Sequence, residues 1–372
     1  MKKLPTIKIA GASRDVIFIQ GGMGIGISLA RLAKAVARRG GIGTISSVGL
    51  DLLVGKRLGR KVNSRQAAAI EVAEAKNEGG FIAINIMVAV PKSFNDSILG
   101  AIEGGVDAII IGAGLPTTLP KTVGEADVAL IPIISSVKAL RIIFKRWADR
   151  YKRTPDAVVL EGPLAGGHLG FAFSDVDKDE FRLENIFGPV KEFARTHGDF
   201  PVIVAGGVYC HEDILRWINE IGADGVQMGT RFAATIESNA SDQFKQAIID
   251  CKEKDIIIAE KPGSPCGLPF RIIESSAGYQ SALKKIRLSK CNRGFVARKD
   301  EDGNFTVCSA KDSGEDFCIC NVLLSAQGYN DKEEPIYTVG QRAHLVDRIL
   351  SVDELMDELI GAIAVVEPWE TK

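Results

Sequence analysis

Eight short apolar runs, each followed by a helix-like stretch, restrict the folding of this chain more than any other feature. They fall at Val16–Gln20, Ile42–Ser46, Phe81–Asn85, Ala108–Ile111, Ala129–Ile134, Ala157–Leu160, Val202–Ala205 and Gly225–Gln227. Most are continuous rather than alternating, the mark of parallel strands buried on both faces. Amphipathic segments at Leu29–Arg38, Ser64–Asn77, Phe94–Glu103, Val137–Tyr151, Leu183–Thr196 and Ile214–Ile221 separate them. Eight such units in roughly 240 residues predict an α/β fold, a closed (β/α)8 TIM barrel, over an open sheet. A doubly wound sheet would use the glycine turn after its first strand, and Gly21-Gly22-Met23-Gly24-Ile25-Gly26 does follow Gln20. That fold, however, gives no role to the later turns at Gly206 and Gly229.

A barrel takes roughly 250 residues, so a chain of 372 residues has room for an appendage. The expected layout is a barrel over residues 1–250, an irregular α+β cap over 251–341 and a C-terminal helical segment over 342–372 that packs back on the barrel. In the cap, Gly294–Arg298 and Phe305–Cys308 flank the turn Asp300–Asn304 and read as a small hairpin. Near the C-terminus, Ser351 with Glu354 predicts a capping box for a helix over Ser351–Ile363, with Leu355, Leu359 and Ile363 on one face.

The formal charge is -1 and aromatic residues are 6% of the chain, so neither a basic nor a base-stacking surface speaks for nucleic acid. No apolar run approaches the ~20 residues of a membrane span, and no apolar stretch of signal-peptide type follows Met1-Lys2-Lys3. The seven cysteines then read as reduced thiols of a cytoplasmic protein.

Functional residues of a β/α barrel sit at the C-terminal ends of its strands. Here those ends carry Gly21, Gly22 and Met23 after the first strand, Asn85 after the third, Lys138 beyond the fifth, and Glu161 followed by Ala165, Gly166, Gly167 and His168 after the sixth. The seventh ends in Gly206 and Gly207, and the eighth in Gln227, Met228, Gly229 and Thr230. The last two turns suit a phosphate, because backbone N–H groups approach it with no side chain in the way and a following helix adds partial positive charge. The whole set suits a flat, phosphate-tailed cofactor such as FMN. Met23 offers a polarizable surface to a ring, and Asn85 offers both a donor and an acceptor. Lys138 is placed either near the N1–C2 edge of the flavin or at its phosphate.

His168 lies in Gly166-Gly167-His168-Leu169-Gly170 and is the candidate catalytic side chain, because imidazole moves a proton near neutral pH. The alternative is a histidine that only ties down its loop. Glu161 has two readings, a catalytic carboxyl or a partner for a loop amide. No metal site is expected: no two histidines are close in sequence, and the cap cysteines Cys266, Cys291, Cys308, Cys318 and Cys320 fit no ligand spacing.

The stretches Ile19–Gly24, Glu161–Gly170, Val204–Val208 and Gln227–Phe232 resemble the nitronate monooxygenase family, formerly called 2-nitropropane dioxygenases. The flavin-dependent enoyl-ACP reductases share that architecture. The resemblance runs from about Phe18 to Ala247, with the glycine–histidine motif as its specific part. It implies a TIM barrel holding FMN noncovalently along Gly22, Met23, Asn85, Lys138, Gly166, Gly167, Gly206, Gly207, Gly229 and Thr230, with His168 facing the substrate. It implies one of two activities: oxidation of alkyl nitronates by O2 to carbonyl compounds and nitrite, or NAD(P)H-dependent reduction of an enoyl thioester. A flavin-binding module without turnover is the third reading. A small-molecule substrate is expected, with no nucleic acid and no membrane, and a homodimer is left open. The cap over Cys251–Gln341 departs from the family pattern.

Overall fold

The computed structural model describes residues 7–9, 12–14, 18–286, 293–295, 298–299, 305–306, 308, 316–329 and 333–362. Eight parallel strands close into a barrel: β1 (Phe18–Gln20), β2 (Ile42–Ser46), β3 (Phe81–Met87), β4 (Ala108–Gly112), β5 (Ala129–Ile134), β6 (Val158–Glu161), β7 (Val202–Ala205) and β8 (Gly225–Met228). The ring shuts where Val226, Gln227 and Met228 stand opposite Phe18, Ile19 and Gln20. The barrel is therefore the one expected from the spacing of the apolar runs. Val16 and Ile17, expected to open β1, lie outside the described residues.

Burial on both faces explains why the strands read as unbroken apolar runs. In β3, Ile82 and Ile84 belong to the layer between strands and helices. Phe81 and Ala83 fill the barrel interior with Ile19, Ile110, Ile131, Val159 and Ile203. An N-terminal hairpin, Ile7–Ile9 paired antiparallel with Ala12–Arg14, was not expected. Its Ile7 and Ile9 are buried with Ile42, Phe81, Ala108 and Ala129, the first residues of β2 to β5. The hairpin thus stops the N-terminal mouth, and the C-terminal mouth is left for chemistry.

The helical shell comprises α1 (Ala30–Arg38), α2 (Leu50–Leu58), α3 (Ser64–Lys76), α4 (Phe94–Glu103), α5 (Leu119–Val123), α6 (Val137–Tyr151), α7 (Leu183–Thr196), α8 (His211–Leu215), α9 (Thr230–Ala233) and α10 (Asp242–Asp250). Local capping sets several starts. Asn63 Oδ1 accepts from Gln66 N at 2.8 Å and Gln66 Oε1 from Asn63 N at 3.2 Å, a reciprocal box at the head of α3. The helix expected over Ile214–Ile221 is instead five-residue α8 running into a π-helical stretch, Arg216–Ile221, that stops at left-handed Gly222.

Beyond α10 the chain is more regular than its composition suggests. Strand β9 (Ile256–Ala259) pairs antiparallel with β10 (Phe270–Ile273). Strand β10 pairs in turn with the two-residue strand Gly167–His168 of the β6 loop. Helices α11 (Ala277–Leu283) and α12 (Ile319–Gln327) follow. Arg298–Lys299 pairs with Phe305–Thr306 as the expected hairpin, whose turn lies outside the described residues, as does Cys291. Helix α13 (Val352–Leu359) has the expected Ser351–Glu354 capping box and buries Val352, Leu355, Met356 and Leu359. It docks on α1 through Arg39, which pairs with Asp353 at 3.3 Å and Asp357 at 2.5 Å. It stops short of the expected end; Ile363 lies outside the described residues. Among the described residues, no helix is long and apolar enough to cross a membrane.

Candidate active site

The C-terminal ends of the strands and the cap enclose a cavity of about 940 Å³. Gly21, Gly22, Met23, Asn85, Glu161, Ala165, Gly166, Gly167, His168, Gly206, Gly207, Gln227, Met228, Gly229 and Thr230 all line it. Lys138 does not. It is exposed in the first turn of α6, while its neighbours Ser135, Ser136 and Ala139 face the cavity. Its side chain lies outside the cavity lining, unlike the other residues expected at the strand ends.

Backbone shape makes one side of the cavity. Gly206 and Gly207 are left-handed, with φ of 95° and 82°. A Cβ on Gly206 would stand 2.9 Å from Ala165 N, and one on Gly207 would stand 2.9 Å from Leu164 Cδ1. Beside β1, a Cβ on Gly22 would fall 2.2 Å from Asn85 Cβ, so Asn85 packs on the bare face of that turn. Gln20 locks the same turn, donating to Gly21 O at 2.5 Å and accepting from Thr44 N at 2.9 Å. The helix after β8 has only four residues. The polarity of that turn therefore comes from its own amides rather than from a long helix dipole.

Side chains not singled out in the sequence brace this rim. Arg342 Nη1 donates to Gly207 O at 2.9 Å and pairs with Asp213 at 2.5 Å, and Arg342 is part of the cavity lining. Arg231, next to Thr230, is buried and paired with Glu358. Both guanidinium groups lie over the Tyr209 ring, 4.4 Å away for Arg231 and 5.5 Å for Arg342. A cation does stand at the rim, then, but it is Arg342, carried from far along the chain.

The opposite wall is built from side chains. His168 pairs across the sheet with Phe270, and the two rings lie 4.5 Å apart. His168 Nε2 is 2.7 Å from Ser264 Oγ. Buried Arg271 donates to Ala165 O at 3.0 Å and Pro163 O at 2.7 Å, and it bonds Gln341, which staples the glycine-rich loop to the cap. Burial brings its guanidinium down to about 10, against the opposing pull of the Asp177 carboxylate. Burial also raises the Glu161 carboxyl to about 8, which favours its neutral form in the cavity lining.

Gln227 Oε1 is buried against the cavity without a hydrogen-bond partner. An orphaned acceptor beside a cradle that any Cβ would obstruct fits a flat ligand bearing N–H donors and a phosphate tail. Among the described residues, no group of three His, Cys, Asp or Glu is placed to hold a metal ion.

Known proteins match this architecture. The nitronate monooxygenase family profile covers residues 6–361, and the chain belongs to that family. A probable nitronate monooxygenase of Staphylococcus aureus is 28% identical over 201 residues, 53% of this chain and 54% of that protein. The chain thus spans about half the length of that curated relative. A protein of Mycobacterium tuberculosis, (3aS,4S,5R,7aS)-5-hydroxy-7a-methyl-1-oxo-octahydro-1H-indene-4-carboxyl-CoA dehydrogenase, is 24% identical across 96% of this chain and 95% of its own. The structure of FabK from Thermotoga maritima superposes with a TM-score of 0.68 at 22% identity, covering 94% of this chain and 92% of that one.

Proposed function

We propose that this member of the nitronate monooxygenase family is an FMN-dependent oxidoreductase that converts alkyl nitronates to carbonyl compounds and nitrite with O2. The observation that carries the reading is the shared cavity: the glycine cradle of β7 and β8 and the His168 loop face the same 940 Å³. That volume stands near the top of the ~300–1,000 Å³ range of small-molecule sites, which leaves room for a substrate beside a flavin.

Gly206, Gly207, Gly229 and Thr230 hold the phosphate, with Arg342 supplying charge, and Gln227 and Asn85 meet the polar edge of the ring. FMN, when bound, supplies the electron transfer between substrate and oxidant. The chain's own residues orient the substrate and manage protons. His168 holds or gives a proton at the nitro group, and neutral Glu161 adds no charge to repel an anionic nitronate.

A second reading has its own support. The cavity extends along an apolar wall of Ile25, Val48, Val90, Phe295, Ile319 and Leu323, more than a short nitroalkane needs. The relative matched along nearly its whole length is named for a carboxyl-CoA substrate. An acyl thioester, with NAD(P)H as electron donor, is the alternative substrate class.

Flavin spectroscopy separates the readings. Anaerobic bleaching by an alkyl nitronate supports the first, and bleaching by NAD(P)H with reoxidation by crotonyl-CoA supports the second. In either case His168→Ala keeps FMN and loses at least about tenfold in turnover, since acid–base groups commonly supply 10²-fold or more. Protein that neither carries nor takes up FMN overturns both.

A further inference from the structure

Cys266 stands on the cavity wall within reach of the histidine, in a chain of polar atoms that the proposed reaction has not used. Its Sγ lies 3.1 Å from Ser264 Oγ, and the same hydroxyl lies 2.7 Å from His168 Nε2. Ser264 is buried, at 4% exposure, whereas Cys266 is half-buried and lines the cavity. Phe270, buried on β10, lies against the imidazole ring and holds it facing Ser264.

We propose that Cys266 is the proton reservoir of His168, the two side chains sharing one mobile proton through the Ser264 hydroxyl. A hydroxyl donates one hydrogen bond while accepting another, so the chain has two alignments. In the first, the Cys266 thiol donates to Ser264 and Ser264 donates to neutral His168 Nε2. In the second, the Ser264 proton has moved to Nε2 and the thiol proton to Ser264 Oγ, giving imidazolium and thiolate, with Ser264 now donating to the sulfur. No proton is gained or lost overall, and His168 is left charged toward the cavity. Cys266 acts through His168 and is thus a positioning residue in the reaction read above, on which this assignment rests.

The surroundings bring the second alignment within reach. Burial on its own raises the Cys266 thiol, but charge and hydrogen bonding from His168, with the Ser264 hydroxyl and the Leu268 N–H, outweigh it and bring the thiol down to about 7. Other thiols go the opposite way: burial pushes Cys210 up to about 12 and Cys251 up to about 11. Among the charges near this wall, Asp177 acts on Arg271. Lys261 stands 4.0 Å from Asp316, and Arg271 on β10 is bound to loop carbonyls.

The test reads the thiol directly and needs neither turnover nor flavin chemistry, so it can fail while the functional reading stands. Purified protein is alkylated with iodoacetamide from pH 5.5 to 9.5. Sulfur displaces iodide, and peptide mass spectrometry reports the rate at Cys266 with Cys210 as internal reference. Wild-type Cys266 is expected to titrate near neutrality. His168→Gln and Ser264→Ala should each slow its alkylation at pH 7 at least tenfold. An unchanged midpoint in His168→Gln, with the fold intact by circular dichroism, overturns the proposal.

Turnover gives the second arm. Cys266→Ser preserves size and hydrogen bonding but does not ionise, so it should lose as much turnover as Cys266→Ala, with the pH profile displaced in both. Cys266→Ala/Ser264→Ala should cost no more than either single change, because one relay is broken once. Full rescue by serine, or multiplicative losses, would mean that the thiol only fills space.

Discussion

The two sides of the cavity are made by different means. The rim of β7 and β8 is shaped first by backbone: adjacent Gly206 and Gly207 are left-handed and act by what they lack, with Arg342 bracing them from the cap. The wall formed by the β6 loop and the cap is side chain and long-range. His168 meets Ser264 from 96 positions away, and Arg271 reaches Ala165 and Pro163 across 106 and 108. A demand on backbone conformation is written locally, because only glycine tolerates left-handed turns and close approach cheaply. A demand on side-chain pairing is met by ordinary residue types, and only the fold says which of them meet. In the function proposed above, the rim holds the cofactor and the wall acts on what lies beside it.

The sharpest way to break that division is Gly207→Val. At φ 82° a β-branched residue is strained, and its Cβ falls 2.9 Å from Leu164 Cδ1. The turn must move, and the phosphate loses its cradle. The expected outcome is near-complete loss of bound FMN, read by visible absorption and by fluorescence titration with added FMN. A yellow variant of wild-type affinity would remove the phosphate from this rim.

Arg271→Met asks the complementary question of the wall. The change keeps volume but leaves the carbonyls of Pro163 and Ala165 and the Gln341 side chain without their donor. Each buried acceptor left unmade costs about 1–3 kcal/mol, partly offset by no longer burying a charge. A net loss of about 2–3 kcal/mol in urea unfolding is expected, with turnover falling more than FMN affinity, because the loop that slackens carries His168. Equal losses of affinity and turnover would erase the distinction between rim and wall.

The same difference explains what was legible in the sequence. Every barrel strand could be read, because burial on both faces leaves continuous Ile, Val and Ala runs. Ser351 with Glu354 announced α13, because a capping box is complete within four residues. Strand β10 was missed, being four residues long in a stretch broken by Pro262, Pro265 and Pro269. Arg342 was missed because it reaches the rim from far along the chain, and Lys138, expected from its place beyond a strand end, lies outside the cavity lining. Cys266 read as one of several cap thiols; only β10, by pairing with Gly167–His168, brings its segment beside the histidine.

Glu161 stands where the two sides join, as the last residue of β6 and in register with Ala205 on β7. Burial raises its carboxyl from 4.5 to about 8. The folded state therefore holds this proton more tightly than the unfolded chain does. Its favourable contribution is complete below about 4.5 and is lost as the pH rises toward 8, with a slope of at most about 1.4 kcal/mol per pH unit. Glu161→Gln is neutral throughout, so wild type should lose stability relative to the variant across that window and run parallel to it above. The ligand response is smaller and occurs higher. Above pH 8 the wild-type cavity gains a negative charge beside the rim, and its affinity for anionic FMN or a nitronate should fall a few-fold by pH 9.5, while that of Glu161→Gln should not. Fluorescence titrations at pH 6.5, 8 and 9.5 measure both. If the two proteins bind in parallel, Glu161 is solvated and ionised at neutral pH, and rim and wall are electrically independent. If only wild type weakens, one buried proton links where the cofactor is held to where the chemistry is done.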